Sequence, residues 1–176
     1  MGAGLVTGIP MRDLKGRVVA LDDLFGRLGG LVREQLLETP GWEERFALVD
    51  RFLLARLADT EPPPASLAWA LSRLQAARGA IEIGSLTDEL SCSRRFLIAL
   101  FNDYVGLPPK LFARILRFQH ALELANGGGL GWTEIAQRCS YYDQAHMIGD
   151  FQQFTGHSPT TYAALKLPNG GGVIGD

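Results

Sequence analysis

Residues 133–156 read TEIAQRCSYYDQAHMIGDFQQFTG, and this stretch decides the fold. A short amphipathic segment over 132–138 is followed by a tight turn and then by a longer segment over 143–154. Phe151 and Phe154 lie near the end of the longer segment, and a glycine, a residue type that commonly terminates helices, follows them. The spacing predicts a short helix, a turn and a longer helix.

The same plan occurs about fifty residues earlier in the chain, which makes it an internal repeat. Residues 85–106 read SLTDELSCSRRFLIALFNDYVG and predict helices near 84–90 and 93–104. In each copy a proline, Pro108 or Pro159, is expected to open a further helix. The repeat therefore predicts two helix-turn-helix subdomains.

A connecting helix over 109–125 is predicted between the two copies, and a last helix is predicted over 159–165. The connecting helix has an apolar stripe that consists of Ile115, Leu116, Phe118, Leu122 and Leu124. Two such motifs on one connecting helix suit two recognition helices in successive major-groove segments, ~34 Å apart.

An amphipathic helical hairpin is predicted ahead of the repeat. From Asp22, apolar residues recur at helical spacing and predict one helix of about four turns. Thr39 is the expected N-cap of a second helix, with Pro40 in its first turn. The apolar stripe of this second helix consists of Trp42, Phe46, Val49, Leu53 and Leu57.

Three consecutive prolines at 62–64 end the hairpin, because proline removes a backbone donor and keeps the preceding residue extended. A helix over 65–78, with Gly79 as its C-cap, follows them. Since no segment alternates with a period of two, we predict an all-α fold in which a hairpin precedes two helix-turn-helix subdomains joined by a connecting helix. The predicted divisions are 1–20 as an arm or domain remnant, 21–62 as a hairpin linker, 65–166 as a double helix-turn-helix domain and 167–176 as a flexible tail.

The composition is that of an ordinary soluble globular protein. Hydrophobic residues make up 47% and charged residues 20% of the 176 residues, with 17 Lys+Arg against 19 Asp+Glu. This excludes disorder throughout, and the length excludes a large multidomain enzyme. No apolar run approaches the ~20 residues of a membrane span, and the first residues lack the shape of a signal peptide. We expect a cytoplasmic protein without membrane association.

Cysteines and histidines are too few and too scattered for a metal or redox site. Cys92 and Cys139 match no CxxC spacing, and the three histidines lack the pairing that zinc requires. No nucleophile elbow, P-loop or metalloprotease motif occurs. We therefore expect no enzymatic activity, no metal and no cofactor.

The repeat resembles a known domain. LRFQHALELA at 116–125, EIAQRCSYYDQAHMIGDFQQFTGHSPTTY at 134–162 and SCSRRFLIALFNDYVGLPPKLF at 91–112 look like the DNA-binding domain of AraC/XylS-type bacterial transcription regulators. The resemblance covers about residues 81–165. The hairpin, with LDDLFGRL and WEERFALVDRFLLARL, is similar to the linker that joins a sensor barrel to this domain. No barrel is present here, which suggests a fragment or a truncated relative without its effector-binding domain.

The resemblance implies that the second helix of each motif lies in the DNA major groove. In the first motif the matching positions are Arg94, Arg95, Ile98 and Ala99, and in the second they are Gln144, Ala145, His146 and Gly149. Gln144 can pair bidentately with adenine, the two arginines can reach guanine or phosphate, and His146 can donate to either. A patch for phosphate consists of these two arginines with Lys110, Arg114 and Arg117, unless these side chains are simply a solvated helix surface.

This chain departs from the family pattern at three positions. Gly149 stands where many relatives have arginine, and Ser91 and Ser140 stand where the family usually has glycine. Serine pays a steric cost if those turns are left-handed. Residues 65–166 contain nine basic and eight acidic residues, so the domain lacks a strongly basic surface.

Most aromatic residues of the repeat are expected in the core, since they recur at helical spacing: Phe101, Tyr104, Phe118, Phe151, Phe154 and Tyr162. Tyr141 and Tyr142, at the turn before the second recognition helix, are left open. A hydroxyl there could touch phosphate, or the ring could pack under the helix.

Two functions agree with these observations. The first is a sequence-specific transcriptional regulator that binds double-stranded DNA and forms a homodimer through the hairpin at 22–58. The second is a helical protein-interaction module that has lost DNA affinity, which the uncharged Ile98, Ala99 and Gly149 favour. Salt-dependent retention on duplex DNA would separate them.

Overall fold

The computed structural model describes residues 7–165, so the first six residues and the predicted tail at 167–176 lie outside the described part. Within 7–165 there are helices and no strand, hence no barrel, which confirms the all-α prediction. The helices are α1 (Met11–Leu14), α2 (Leu21–Phe25), α3 (Arg27–Glu38), α4 (Trp42–Ala58), α5 (Ala65–Ala76), α6 (Ile83–Glu89), α7 (Arg94–Tyr104), α8 (Pro109–Gly127), α9 (Trp132–Arg138), α10 (Gln144–Thr155) and α11 (Pro159–Leu165).

The described residues form two compact units. The first comprises residues 7–69 and 87–109, and the second comprises 70–86 and 110–165. The longer helix of the first motif, α7, belongs to the first unit, and the longer helix of the second motif, α10, belongs to the second. The domain divisions expected from the sequence stay a prediction.

The predicted single helix from Asp22 is wrong, because the chain breaks it into α2 and α3 at Gly26. Gly26 has φ 55°, a left-handed value that glycine adopts without steric cost. The fold-back also needs Gly29, where any side chain would collide with the backbone of Leu21. α3 then packs against α4, and Phe52 meets the ring of Phe25 edge-on at 5.0 Å between centroids.

Thr39 is not the N-cap of α4, contrary to the prediction. Its hydroxyl donates to the carbonyl of Gln35 at 2.7 Å, so it terminates α3 instead. α4 begins directly after Gly41, which has no side chain that could form a capping hydrogen bond. Arg45 Nε donates to the Thr39 carbonyl at 2.6 Å and joins the two helices.

Part of the predicted N-terminal arm is helical. α1 packs against α7, where Arg12 forms an ion pair with Asp103. Met11 lies against Gly106, so a side chain at that glycine would be crowded.

The helix predicted over 65–78 ends two residues earlier, because Arg78 and Gly79 both have left-handed backbones, φ 48° and 76°. The amide of Gly79 donates to the Leu74 carbonyl at 2.9 Å, as a helix-terminating glycine does. The six helices after it begin and end within two residues of the predicted positions.

Pro108 was expected to open α8, and this is wrong by one residue. The helix begins at Pro109, as α11 begins at Pro159. A residue that precedes proline avoids the helical region, which excludes Pro108 from the first turn.

The core of the second unit is aromatic, as predicted. Phe118 meets Phe151 edge-on at 4.8 Å, and Trp132 and Tyr162 approach Phe151 in the same way at 5.7 and 6.0 Å. Such pairs add to the free energy that apolar burial contributes. In the first unit Phe101 is fully buried, while Tyr104 is half-buried.

Candidate nucleic-acid interface

The two longer helices of the repeat begin in the same way. Ser93 precedes α7, and its Oγ accepts the amide N–H of Phe96 at 3.1 Å. Asp143 precedes α10, and its Oδ1 accepts the amide N–H of His146 at 2.7 Å. Both are N-caps that satisfy a donor otherwise left open at a helix start. The two caps are fifty residues apart, which fixes the register of the repeat.

In that register the two helices bury the same positions. Leu97 and Phe101 of α7, and Met147 and Phe151 of α10, are all 0% exposed. Because helix faces recur every three to four residues, the opposite faces point outward in both helices.

The tight turns before both helices are left-handed at a serine. Ser91 has φ 49° and Ser140 has φ 56°. Each turn is closed by two backbone hydrogen bonds to the preceding helix. In the first turn the amide of Cys92 donates to the Thr87 carbonyl at 3.0 Å, and in the second the amide of Tyr141 donates to the Ala136 carbonyl at 3.0 Å. The strain expected from the sequence is therefore present in both turns.

On α7 the predicted positions are exposed: Arg94, Arg95, Ile98 and Ala99. Among the described residues, neither arginine forms an ion pair. Phe96 is also half exposed, although it is not among the site residues predicted from the sequence. Because Phe96 directly follows Arg94 and Arg95, its position in the sequence could have indicated that it lies on the same exposed face.

On α10 the predicted positions are exposed as well: Gln144, Ala145, His146 and Gly149. The Gln144 Oε1 accepts a hydrogen bond from the Thr133 hydroxyl of α9 at 2.9 Å, and the imidazole of His146 lies edge-on to the Tyr141 ring at 5.3 Å. A Cβ atom added at Gly149 would meet nothing within 4 Å, and the position is exposed. There is therefore room for a side chain to extend into solvent from this position.

The three cationic side chains of α8 that were predicted to bind phosphate lie in different environments. Lys110 is exposed. Arg114 is half-buried, and its Nε and Nη2 donate to Asp150 Oδ1 at 3.0 and 2.5 Å. Arg117 lies over the Tyr141 ring at 5.3 Å, and its Nη1 donates to the Ser140 carbonyl at 3.5 Å. The last two guanidinium groups thus make contacts inside the protein.

Tyr141 and Tyr142 occupy opposite environments. Tyr141 is buried under α10, whereas Tyr142 is 93% exposed. Burial raises the pKa of the Tyr141 phenol, and the neighbouring Asp150 carboxylate raises it further. Packing under the helix is thus the role of Tyr141, and only Tyr142 presents its hydroxyl to solvent.

Asp150 is not among the site residues predicted from the sequence. It is 1% exposed and lies between the buried positions Met147 and Phe151. Its helical spacing from Met147 was a signal that it faces the core. Nothing in the sequence identified Arg114 as its partner, because the two are 36 residues apart.

The described residues offer no group of three or more metal-ligating side chains, and none of their helices is long and apolar enough to cross a membrane.

Residues 86–164 match a protein-family model described as a helix-turn-helix domain. The F1 operon positive regulatory protein of Yersinia pestis is 29% identical over 83 residues, which are 47% of this chain and 28% of that protein. The match thus spans less than a third of the relative's length. No solved structure is similar enough to match. The sequence match and the repeated geometry agree with the resemblance to the AraC/XylS-type DNA-binding domain, and residues 86–164 are similar to a helix-turn-helix domain.

Proposed function

We propose that this protein is a sequence-specific transcriptional regulator that places α7 and α10 in successive major-groove segments of double-stranded DNA. The observation that carries the proposal is the equivalence of the two helices: each follows a side-chain N-cap, and the two bury the same positions fifty residues apart. The name of the Yersinia pestis relative, a positive regulatory protein, supports the regulatory part.

The exposed faces supply the groups that base edges and phosphates bind. Gln144 pairs with adenine through its amide, while Ile98 and Ala99 contact thymine methyl groups. Arg94 and Arg95 bind guanine or phosphate. His146 and Ala145 complete the face of α10, where Gly149 leaves space.

Phosphate binding falls to few cations, because Arg114 and Arg117 are engaged inside the protein. If Arg94, Arg95 and Lys110 each contact one phosphate, the slope of log affinity against log salt is about −2.7 per protomer. With all five cations on phosphate it would be about −4.5. The hydroxyl of Tyr142, two residues before α10, is a further phosphate donor.

The hairpin supports dimer formation. Trp42, Phe46, Leu53 and Leu57 form one exposed stripe along α4, with exposed fractions of 68%, 63%, 36% and 41%. Apolar residues at this spacing form the seam of helix pairs, and a monomer rarely exposes such a patch. The proposed occupant is α4 of a second copy. An effector-binding domain attached to this hairpin is what the family resemblance implies for longer relatives.

A second candidate function is a helical protein-interaction module without DNA affinity. The observation that favours it is the apolar character of α7's outward face, where Phe96 and Ile98 are 50% and 36% exposed. Uncharged Ala99 and Gly149 add no phosphate contact. In this alternative α7 binds another protein instead of DNA.

The two candidates are separated by selecting bound sites from a pool of random duplexes with the full chain. The regulator enriches a defined sequence, and Arg94→Ala with Arg95→Ala abolishes the enrichment. Arg138→Ala is the matched control, because Arg138 is exposed and paired with Glu134 on α9. Failure of the wild-type chain to enrich any sequence, at low salt as well, would favour the interaction module.

A further inference from the structure

A buried carboxylate lies directly behind the exposed face of α10. Asp150 is 1% exposed, and among residues 7–165 it is the only acidic side chain that is buried. Its neighbour in the chain, Gly149, faces solvent. Burying a carboxylate costs free energy unless a cation and hydrogen bonds compensate.

Arg114 of α8 supplies that compensation and holds α10 at three side chains. Its Nε and Nη2 donate to Asp150 Oδ1 at 3.0 and 2.5 Å, and Nη2 also donates to Gln153 Oε1 at 2.5 Å. The guanidinium carbon lies 5.3 Å from the centre of the Phe154 ring. The second carboxylate oxygen of Asp150 has no hydrogen-bond partner in the described part of the chain. Arg114 therefore supplies the ion pair that compensates this charge.

The first motif has no such ion pair at the equivalent place. Fifty residues before Asp150 stands Leu100, a half-buried apolar residue. An apolar residue is therefore sufficient to pack this face of a helix in the repeat. Replacing a buried ion pair by apolar residues is often neutral or stabilising, so stability alone does not account for the pair in the second motif.

The pair differs from apolar packing in its directionality. A planar guanidinium that holds one carboxylate by two bonds and a second side chain one turn later fixes the rotation of a helix about its axis. Neighbouring helix positions differ by about 100° around that axis. A small rotation of α10 about its axis would therefore shift Gln144 and Gly149 relative to the base edges that they face in the groove.

We propose that Arg114 and Asp150 are positioning residues that set the rotation of α10 for base reading, and that Arg114 is not a phosphate ligand. This rests on the proposed DNA-binding function. The exposed residues of α10 read the sequence, and the ion pair behind them decides which base edge they meet.

The test uses the double variant Arg114→Leu with Asp150→Leu in the full chain. Removing Arg114 alone would leave the buried Asp150 carboxylate uncompensated and strongly destabilise the protein, whereas the double variant removes both charges and places a leucine at position 150, as the first motif has Leu100 at the equivalent place. Asp150→Asn, which keeps the shape of the side chain, is the second variant. Glu134→Leu with Arg138→Leu removes an exposed ion pair of α9 and is the matched control.

The DNA probes are the duplex selected by the wild-type chain and its single-base variants. We expect the double variant to lose about tenfold in discrimination at the bases read by α10 and nothing at those read by α7. Its melting temperature and its salt slope should stay close to those of the wild type. A salt slope shallower by about 0.9 with unchanged discrimination would overturn the proposal and make Arg114 a phosphate ligand. Unchanged discrimination with an unchanged slope would overturn it as well.

A measurement without DNA separates this proposal from the proposed function. Residual dipolar couplings of the α10 amides report the rotation of the helix in the free protein. We expect a changed or averaged rotation in the double variant and in Asp150→Asn, but not in the control. Couplings identical to the wild type would refute the positioning role. If the rotation changes and the wild type binds no duplex, the ion pair still positions α10 and only the DNA-binding function fails.

Discussion

Ser91 and Ser140 have the same left-handed backbone, φ 49° and 56°, at equivalent turns before α7 and α10. A side chain in this region crowds the following carbonyl oxygen, a cost that glycine avoids. The two motifs thus store the same strain at the same place.

We expect Ser91→Gly and Ser140→Gly each to raise the free energy of unfolding by about 0.5–1 kcal/mol, since relief of strain exceeds the entropy that glycine adds to the unfolded chain. Chemical denaturation measures this. Ser85→Gly, at an exposed helical position of α6, is the control and should lower stability instead. A loss of stability in all three variants would contradict the strain.

Gln144→Ala should relax the base preference at one operator position by about 1–3 kcal/mol, because a bidentate amide contact distinguishes one base pair from the others. Binding to all single-base variants of the selected duplex measures it. Lys110→Ala should weaken binding to every DNA sequence alike and make the slope of log affinity against log salt shallower by about 0.9. Gln119→Ala, on an exposed part of α8, is the control. If the Gln144 variant lost the same affinity for every duplex, base reading by this residue would be excluded.

Gly149→Arg should increase DNA affinity and steepen the salt slope by about 0.9, because the position is exposed and nothing lies within 4 Å of a Cβ atom placed there. Gly149→Ala separates the two effects, since it adds helix propensity of up to about 1 kcal/mol without a charge. Both variants should melt at a higher temperature, and only the arginine should change the slope. An unchanged slope with raised stability would mean that this face of α10 does not meet DNA.

Phe46→Asp should convert a dimer into a monomer, because a charge in the centre of the α4 stripe cannot be buried against a second copy. Sedimentation equilibrium at micromolar concentrations measures the mass. Ala47→Asp introduces the same charge at the next residue, on a different face of α4, and should leave the dimer intact. A wild-type chain that is monomeric throughout would refute self-association through the hairpin.

The free energy of unfolding should fall above pH 10 in a way that depends on Tyr141. Burial, and then the Asp150 carboxylate, raise the pKa of this phenol in the folded protein. The unfolded state therefore loses the proton first, so stability that is fully present below about pH 10 is lost as the pH rises toward the folded pKa. Tyr141→Phe should show a smaller decrease between pH 9 and 11, measured by denaturation. Tyr142→Phe, at an exposed position, should behave like the wild type.

Much of the helical plan could be predicted from the sequence, because local signals specify it. Apolar spacing fixed which faces of α7 and α10 are buried. The polar residue at the start of α10 and the glycine at its end marked its boundaries. These signals act within a few residues, where side chain and backbone meet directly.

Other features depended on contacts that local patterns do not reveal. The break at Gly26 follows from the close approach of Leu21 to Gly29, and the capping role of Thr39 depends on which of two adjacent helices its hydroxyl reaches. Apolar spacing continues across both places. A periodic pattern alone therefore predicted one helix where there are two.

The sequence by itself determined the all-α fold and the fifty-residue repeat, because helix periodicity and capping are local properties, and the family resemblance supplied most of the exposed positions on α7 and α10. Only the tertiary structure decided which cations are engaged internally. Arg114 and Lys110 look alike in the sequence, yet one binds a buried carboxylate 36 residues away and the other is exposed. The physical reason is that the electrostatic role of a charge depends on burial and on the partner in space, and both arise only when distant helices pack.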